Sequence, residues 1–351
     1  MKSERNYGID LLRLVLMFMV CMLHILGTGG VLAASPADSI SHKIFLLAQV
    51  FCCCAVDGFA LISGYTAKNR PQKYHKIIEM WFQAWFYSFA LTLIFTLVGI
   101  DLGWGWSSFI RRLLPLTHNR FWYFSAYFAL FFVSPAINRF VFALDERSAK
   151  NALFIAFTLF SVIGSVADSF ETNLGYSAFW IMLLYTMGLL AKQIRLFENK
   201  STSALVALWL CCNLITWGGC LVYGEDSHWS SYISPTVVLS AFTLVILFSR
   251  IPLKGTVIRK AAPLAFGVYL FQMSPVVWHK ILTGSHAFAA EKPLPLGLGY
   301  VAAYSALLFI CGLTVEFFRS TLARLLKIDL LSQKIASALE RALFKSTALS
   351  K

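Results

Sequence analysis

Long runs of apolar residues dominate the chain, and short polar segments separate them. A helix that crosses a bilayer needs about 20 predominantly apolar residues. The pattern therefore predicts an all-α, polytopic membrane bundle of about ten transmembrane helices. The predicted spans cover residues 10–32, 44–66, 77–100, 121–142, 151–167, 176–191, 203–223, 233–249, 262–279 and 297–318.

The composition supports this fold class. Of the 351 residues, 58% are hydrophobic and only 13% are charged, whereas a soluble domain has about a quarter charged residues. The first apolar run also resembles a signal peptide, since Val31-Leu32-Ala33 is a weak small-residue cleavage site. That run is longer than the apolar core of a signal peptide and contains His24, so we interpret it as the first span.

The formal net charge of +13 first suggests a nucleic-acid partner. If both termini are cytoplasmic, however, 24 of the 30 Lys and Arg residues fall in cytoplasmic segments and 6 in outer segments. Membrane proteins show this bias because cytoplasmic loops retain positive charge. The charge therefore predicts an N-in, C-in topology, with the lipid bilayer as partner and no nucleic acid.

The segment after the last span carries apolar residues with charges between them, including Leu322, Leu326, Ile335 and Leu339. This spacing predicts an amphipathic helix on the cytoplasmic interface. We accordingly divide the chain into a transmembrane domain, 1–319, and an amphipathic cytoplasmic tail, 320–351. The eight cysteines all lie within predicted spans and form no C-x-x-C pair, so we interpret them as packing residues and predict no metal site.

The first span contains an arginine, Arg13, and a histidine, His24, separated by ten uncharged residues. Eleven helical steps bring the two side chains to within roughly 20° of each other, about 16.5 Å apart along the axis. Asp10 lies three residues before Arg13 and is a candidate ion-pair partner. This stripe is typical of a lined cavity. The alternative is a structural histidine together with an interfacial arginine that snorkels.

The second span contains one acidic residue, Asp57. A buried carboxylate needs a partner, and His24 is the nearest candidate at similar depth. The span ends on Ser63-Gly64-Tyr65, followed by a basic loop with Lys68 and Arg70. That loop suits phosphate groups, or it serves only as a topology signal. At the end of the last span, Glu316 lies next to Arg319, and an interfacial ion pair is the simplest interpretation.

These segments together resemble the acyltransferase-3 family, bacterial membrane O-acyltransferases that modify glycans. The family's first helix carries an Arg and a His separated by ten residues, which Arg13 and His24 match. Its second helix, V-D-x-F-F-x-x-S-G-Y, is similar to VDGFALISGYTAK. NRFWYFSAYFALFFVSPAIN resembles the family's W-F-x-x-x-Y-x-x-L-x-x-x-S-P segment, and FGVYLFQMSPVVW resembles its G-I-Y-L-I-H motif. Gln272 stands where the family commonly has His, and Glu316 fits the acidic residue that ends the last helix.

The resemblance implies transfer of an acyl group, typically acetyl, from cytoplasmic acyl-CoA to a glycan hydroxyl in a bacterial cytoplasmic membrane. No bound cofactor is implied, because acetyl-CoA is a co-substrate. His24 would act as general base or as acyl carrier, with Asp57 orienting it. The implied donor contacts are Arg13, Ser63, Tyr65, Lys68 and Arg70. The implied contacts to the glycan or lipid-linked saccharide are Trp122, Tyr123, Tyr127, Gln272 and Glu316.

A transporter or flippase for glycans is the alternative function, because intramembrane Arg, Asp and His residues also line translocation paths. The sequence lacks the pair of Gly- or Pro-broken spans in corresponding halves that would favour it. Neither the acceptor glycan nor the oligomeric state follows from the sequence.

Overall fold

A computed structural model describes residues 5–103, 105–225 and 227–344 of the protein. This described part is helical and contains no strand. Its α-helices are α1 Tyr7–Leu26, α2 Val31–Ala34, α3 Ile40–Cys53, α4 Ala55–Tyr65, α5 His75–Trp85, α6 Leu91–Leu97, α7 Trp106–Leu113, α8 Trp122–Phe142, α9 Glu146–Phe157, α10 Gly164–Ala167, α11 Ala178–Gln193, α12 Thr202–Tyr223, α13 Pro235–Ser249, α14 Thr256–Ala261, α15 Ala265–Gln272, α16 Pro275–Val277, α17 Leu294–Leu325 and α18 Ile328–Phe344.

Eight helical segments in the described ranges are long and apolar enough to cross a membrane. These segments are Tyr7–Ala34, Ile40–Tyr65, His75–Leu97, Trp122–Phe142, Glu146–Ala167, Thr202–Tyr223, His228–Ser249 and Leu294–Leu325. The predicted helical membrane bundle is thereby confirmed as a class of fold. The exact number of ten spans and the orientation remain predictions.

Two predicted spans depart from a regular membrane helix. The segment predicted at 262–279 is two helices, Thr256–Gln272 and Pro275–Glu291, bent by 55°. The bend follows from Pro275, which lacks a backbone N–H and begins a new helix. The segment predicted at 176–191 is α11, an apolar helix of only 16 residues.

The first helix, α1, lies at the centre of the bundle and packs against α3, α4, α13, α15 and α17. Asn6 caps its N-terminus by accepting a hydrogen bond from the backbone N–H of Ile9 at 3.1 Å. Leu12 and Leu16 are completely buried along its length. Arg13 and His24 both lie on this helix, and we refer to the Arg13 end and the His24 end of the bundle.

Two glycines allow α4 and α11 to approach closely. A Cβ atom on Gly64 would lie 1.8 Å from the carbonyl oxygen of Tyr185, and one on Gly188 would lie 2.3 Å from that of Leu61. Small residues at such crossings let two membrane helices gain close backbone packing. Gly64, which the sequence places next to a basic loop, thus serves helix packing.

Apolar side chains cover the outside of the bundle, as lipid exposure requires. Leu97, Phe154 and Val222 are each at least 70% exposed, a pattern that would be unfavourable in water. The cysteines are all free thiols, and six of the eight are buried as the packing interpretation predicts. Cys211 and Cys311 are instead exposed on α12 and α17.

A hydrogen-bonded tether joins three segments at the His24 end. Ser35 Oγ lies 2.8 Å from Nδ1 of His42, and Nε2 of His42 lies 2.8 Å from Oε1 of Glu225. Ser35 follows α2, His42 lies in the first turn of α3, and Glu225 follows α12. The tether fixes the loops on this side relative to one another.

The predicted domain boundary at 319/320 falls inside α17, which continues without a break to Leu325. The amphipathic helix begins later, at Ile328, and α18 packs against α5. Ser332 and Ala336 form its buried side. Residues 345–351 of the predicted tail lie outside the described residues.

Candidate active site

His24 lies in the last turn of α1 and contacts the broken helix opposite. Its Nδ1 is 2.8 Å from Oε1 of Gln272, the last residue of α15. Its ring meets the Trp278 indole edge-to-face, with 5.3 Å between ring centroids. Because an amide oxygen only accepts, Nδ1 donates in this pair and carries the ring proton. In neutral His24 the lone pair then lies on Nε2, as a general base requires.

Gln272 is fully buried, and both ends of its amide are engaged. The oxygen accepts from His24, and the nitrogen donates to Sδ of Met17 at 3.8 Å. Sequence reasoning assigned Gln272 to sugar binding. The structure instead places its polar atoms against α1, where they hold the imidazole.

A cavity of about 400 Å³ opens beside His24. This volume is within the usual range for small-molecule sites, and the walls combine apolar side chains with a few polar groups. Trp122 and Tyr123, two of the predicted glycan contacts, line it. The full lining is Met17, Val20, Leu23, His24, Gly27, Thr28, Gln49, Val56, Phe59, Trp122, Tyr123, Tyr176, Tyr232, Phe266, Tyr269, Met273 and Trp278.

One wall of the cavity consists of aromatic rings with hydroxyl groups. The Tyr269 hydroxyl accepts from the backbone N–H of Tyr123 at 3.2 Å. The buried Tyr123 hydroxyl has no hydrogen-bond partner among the described residues. Trp122 and Tyr232 stack with 6.3 Å between centroids. Rings with polar tips offer both a flat apolar face and a hydrogen-bonding edge. Tyr127, the other predicted contact on α8, is half-buried and is not in the cavity lining.

Asp57 is completely buried in α4, directly after the cavity residue Val56. Its Oδ1 accepts a hydrogen bond from Nε1 of Trp180 at 3.3 Å. Its Oδ2 has no hydrogen-bond partner among the described residues. The predicted pairing of Asp57 with His24 is therefore wrong. Trp180 is the hydrogen-bond partner of Asp57, and Gln272 orients the histidine.

Arg13 lies at the opposite end of α1 in a small ionic cluster. Its Nη1 donates to Oδ1 of Asp10 at 2.7 Å, which confirms the predicted ion pair. Asp10 is buried and also accepts from Nε of Arg5. The Arg13 side chain keeps 31% of its surface exposed, so it is only partly enclosed by this pair. Arg13 is about 16.5 Å along the helix from His24 and does not line the described cavity.

The other predicted donor contacts cluster near the same end. The Tyr65 hydroxyl donates to Ser249 Oγ at 3.4 Å, and the Ser249 carbonyl accepts from the Asn6 cap of α1. The Ser63 hydroxyl donates to the Phe59 carbonyl of its own helix at 2.9 Å. Lys68 and Arg70 are exposed in the loop that follows.

Glu316 is buried in α17, and the predicted pair with Arg319 is confirmed. Arg319 donates to both carboxylate oxygens at 2.7 Å. Tyr87, which sequence reasoning missed, donates to Oε2 at 2.8 Å. The carboxylate packs against Gly267, five residues before Gln272 on α15. Glu316 is therefore fully engaged away from the cavity, and the structure does not place it as a glycan contact.

Sequence reasoning also missed Trp180, Tyr232, Tyr269 and Trp278. Tyr269 and Trp278 fall in the segment FGVYLFQMSPVVW together with Gln272, so the motif itself indicates that they lie near the site. Trp180 and Tyr232 lie near the starts of other spans without any motif, and only packing brings Trp180 to Asp57 and Tyr232 to the cavity. Among the described residues, no group of three or more His, Cys, Asp or Glu side chains converges as metal ligands would.

The fold and the cavity define a class, namely a multi-pass helical membrane protein with a histidine beside a ligand-sized pocket. The particular family follows from comparison with known proteins. The profile described as an acyltransferase domain, that of the acyltransferase-3 family, matches residues 6–316. The chain belongs to this family, and it is a membrane acyltransferase. No curated protein and no solved structure matches the chain significantly.

Proposed function

We propose that the protein is an O-acyltransferase of the bacterial cytoplasmic membrane. It moves an acyl group, typically acetyl, from cytoplasmic acyl-CoA to a hydroxyl of a cell-surface or lipid-linked glycan. The observation that carries this proposal is the 2.8 Å contact between His24 and Gln272 at the wall of a cavity of about 400 Å³. Family membership favours acyl transfer over the transporter alternative.

In this proposal the Arg13 end faces the cytoplasm and receives the CoA moiety. Arg13 has an exposed part that can bind a phosphate while Asp10 holds the rest of its guanidinium. Lys68 and Arg70 add exposed positive charge at the same end. Ser63 and Tyr65 supply hydroxyl groups there. The thin pantetheine arm then extends along α1 towards His24.

At the His24 end, Nε2 removes the proton from the attacking sugar hydroxyl. The hydroxyl oxygen forms a bond to the acyl carbonyl carbon, the carbon–sulfur bond breaks, and CoA leaves as a thiolate that takes up the proton from the imidazolium. Gln272 acts as a positioning residue, because it keeps the proton on Nδ1 in neutral His24. A covalent route, in which His24 itself first carries the acyl group, uses the same nitrogen.

The aromatic wall supports a sugar as the acceptor. Trp122 and Tyr232 line the cavity with aromatic rings, and the Tyr123 hydroxyl, which has no partner among the described residues, offers a hydrogen bond. Sites built for hydroxyl-bearing ligands combine such faces with a few polar groups.

Purified full-length protein incubated with radiolabelled acetyl-CoA tests the function. We expect label to move to an added glycan acceptor, or slow hydrolysis when no acceptor is present. A protein that binds acetyl-CoA but neither transfers nor hydrolyses the acetyl group with any glycan supplied would contradict the proposal.

A further inference from the structure

Basic side chains gather near the cavity at the His24 end. Arg111 and Arg112 are in the last turn of α7, Arg120 lies just before α8, and His279 and Lys280 follow Trp278. We call these five residues the rim cluster. The positive charges of Arg112 and Arg111 act on Arg120, and those of Arg120, Arg112 and Lys280 act on His279. The five side chains therefore form one electrostatic group.

The rim cluster is continuous with the cavity wall through the chain itself. Arg120 lies two residues before Trp122, and His279 directly follows Trp278. Trp122 and Trp278 both line the cavity. Two residues span at most about 7 Å, so a ligand in the cavity lies within reach of Arg120 and His279, the members of the cluster next to the cavity wall.

The rim cluster is electrostatically unfavourable when no ligand is bound. Burial, together with the charges of Arg112 and Arg111, lowers the pKa of the Arg120 guanidinium. Nε of Arg120 is buried without a hydrogen-bond partner among the described residues. None of the ion pairs in the described ranges involves Arg111, Arg120 or Lys280. An anion placed here would relieve the repulsion and satisfy the buried donor.

Most of the positive charge in the predicted outer segments is concentrated in the rim cluster. Only 6 of the 30 Lys and Arg residues fall in the predicted outer segments, and four of those 6 are in the rim cluster. Retention of cytoplasmic positive charge does not account for cations on this side. Their convergence at the mouth of the pocket instead suits a ligand.

We propose that the rim cluster binds an anionic group of the acceptor, so that the preferred acceptor is an acidic glycan. The group is a phosphate, as in a lipid-linked sugar diphosphate, or the carboxylate of an acidic sugar. The inference rests on the proposed function, since it names the substrate class of that site. Arg120 supplies a planar fork that matches either group with two parallel hydrogen bonds. Arg111 and Lys280 are exposed and add attraction at longer range.

A binding measurement with the purified full chain tests the proposal without relying on acyl transfer. The probes are an acidic oligogalacturonate, a polyprenyl diphosphate-linked sugar and a neutral maltooligosaccharide of similar length. We expect at least one anionic probe to bind about 10-fold more tightly than the neutral one, with an affinity that falls at high salt. The two anionic probes distinguish a carboxylate from a phosphate.

Arg120→Gln and Lys280→Gln should each weaken binding of the anionic probe, Arg120→Gln by about 10-fold, and Arg120→Lys should restore part of it. Lys280 is exposed, so its substitution does not threaten the fold. Lys43→Gln, at another exposed cation of the predicted outer side, should leave binding unchanged.

Equal affinity for neutral and anionic probes would overturn the proposal. Unchanged anion binding in both rim variants would do the same. Loss of acetyl-CoA binding in Arg120→Gln, with glycan binding intact, would assign the cluster to the donor and also reject the inference. An inactive protein that still binds anions through the cluster would leave this inference standing while the proposed function fails.

Discussion

At the scale of single residues, His24 is distinguished by its position and by its partner. Many membrane histidines are held by a hydrogen bond, and the bond to Gln272 alone would suit a structural role. The adjoining cavity changes that interpretation, because a ring fixed at one nitrogen presents the other to a bound ligand.

Substitution of His24 tests this role directly. His24→Gln should reach the membrane in normal amounts and bind acetyl-CoA, yet lose about 10²–10⁴-fold in transfer rate, because the general base is gone. Transfer of labelled acetyl, normalised to protein in the membrane, measures the effect. Near wild-type transfer by this variant would end the assignment, and reduced protein yield with a normal specific rate would point to a structural histidine.

Asp57 should matter less than His24, because it contacts Trp180 rather than the imidazole. Asp57→Asn keeps the shape and the oxygen that accepts from Trp180 and removes only the negative charge, so transfer should fall by no more than about 10-fold. Trp180→Phe, which removes the donor of that bond, should also cost no more than about 10-fold in the same assay. A loss for Asp57→Asn as large as that for His24→Gln would instead place the carboxylate in the chemistry.

Arg13 has two separable roles, an ion pair with Asp10 and a proposed contact to CoA phosphate. Arg13→Ala should raise the acetyl-CoA concentration needed for half-maximal transfer, and Arg13→Lys should recover only part of the affinity because the planar fork is lost. Arg139→Ala, at an exposed cation in the last turn of α8, is the matched control. Unchanged acetyl-CoA binding in Arg13→Ala would remove this residue from the donor site.

At the scale of helices, the contact of α4 with α11 holds Asp57 and Trp180 together across the bundle. The crossing leaves no space at Gly64 or Gly188. The contact between Asp57 and Trp180 therefore depends on two positions that carry no chemistry.

Gly64→Ala tests this dependence. The added methyl group would meet the Tyr185 carbonyl, so the helices must separate and the apparent melting temperature in detergent should drop by several degrees, about 1–3 kcal/mol of lost stability. Gly218→Ala is the control, because Gly218 lies in α12 with no atom within 4 Å of an added Cβ. That variant should be neutral or slightly stabilised. Equal melting temperatures for the two variants would show that the close crossing is unimportant.

At the scale of the whole molecule, the predicted orientation assigns the Arg13 end to the cytoplasm and the His24 end to the outer side. With 32 residues, α17 is about 48 Å long and extends well beyond a hydrocarbon core of about 30 Å. Its excess length carries α18 to the Arg13 end, where that helix packs against the beginning of α5.

Reporter fusions test this orientation. Fusions after Lys73 and after Lys351 should both report the cytoplasm, because the positive charge of their segments is retained there. A fusion after Thr117, in a predicted outer segment, should report the opposite side. An outer signal from either of the first two sites would contradict the N-in, C-in topology.

The sequence by itself determined the fold class, the family and the residues worth testing. Apolar runs are a local property, so membrane helices can be found without tertiary contacts. Arg13, Asp10 and His24 share one helix face, and the pair of Glu316 with Arg319 spans a single turn, so helical geometry alone predicts them.

The partners of His24 and Asp57 were decided by the tertiary structure. Gln272 is 248 residues from His24 along the chain, and Trp180 is 123 residues from Asp57. Which of several buried polar groups meet depends on helix crossings and on the bend after α15, and no local pattern encodes these. The cavity has the same origin, since its walls come from spans that meet only because α1 lies at the centre of the bundle.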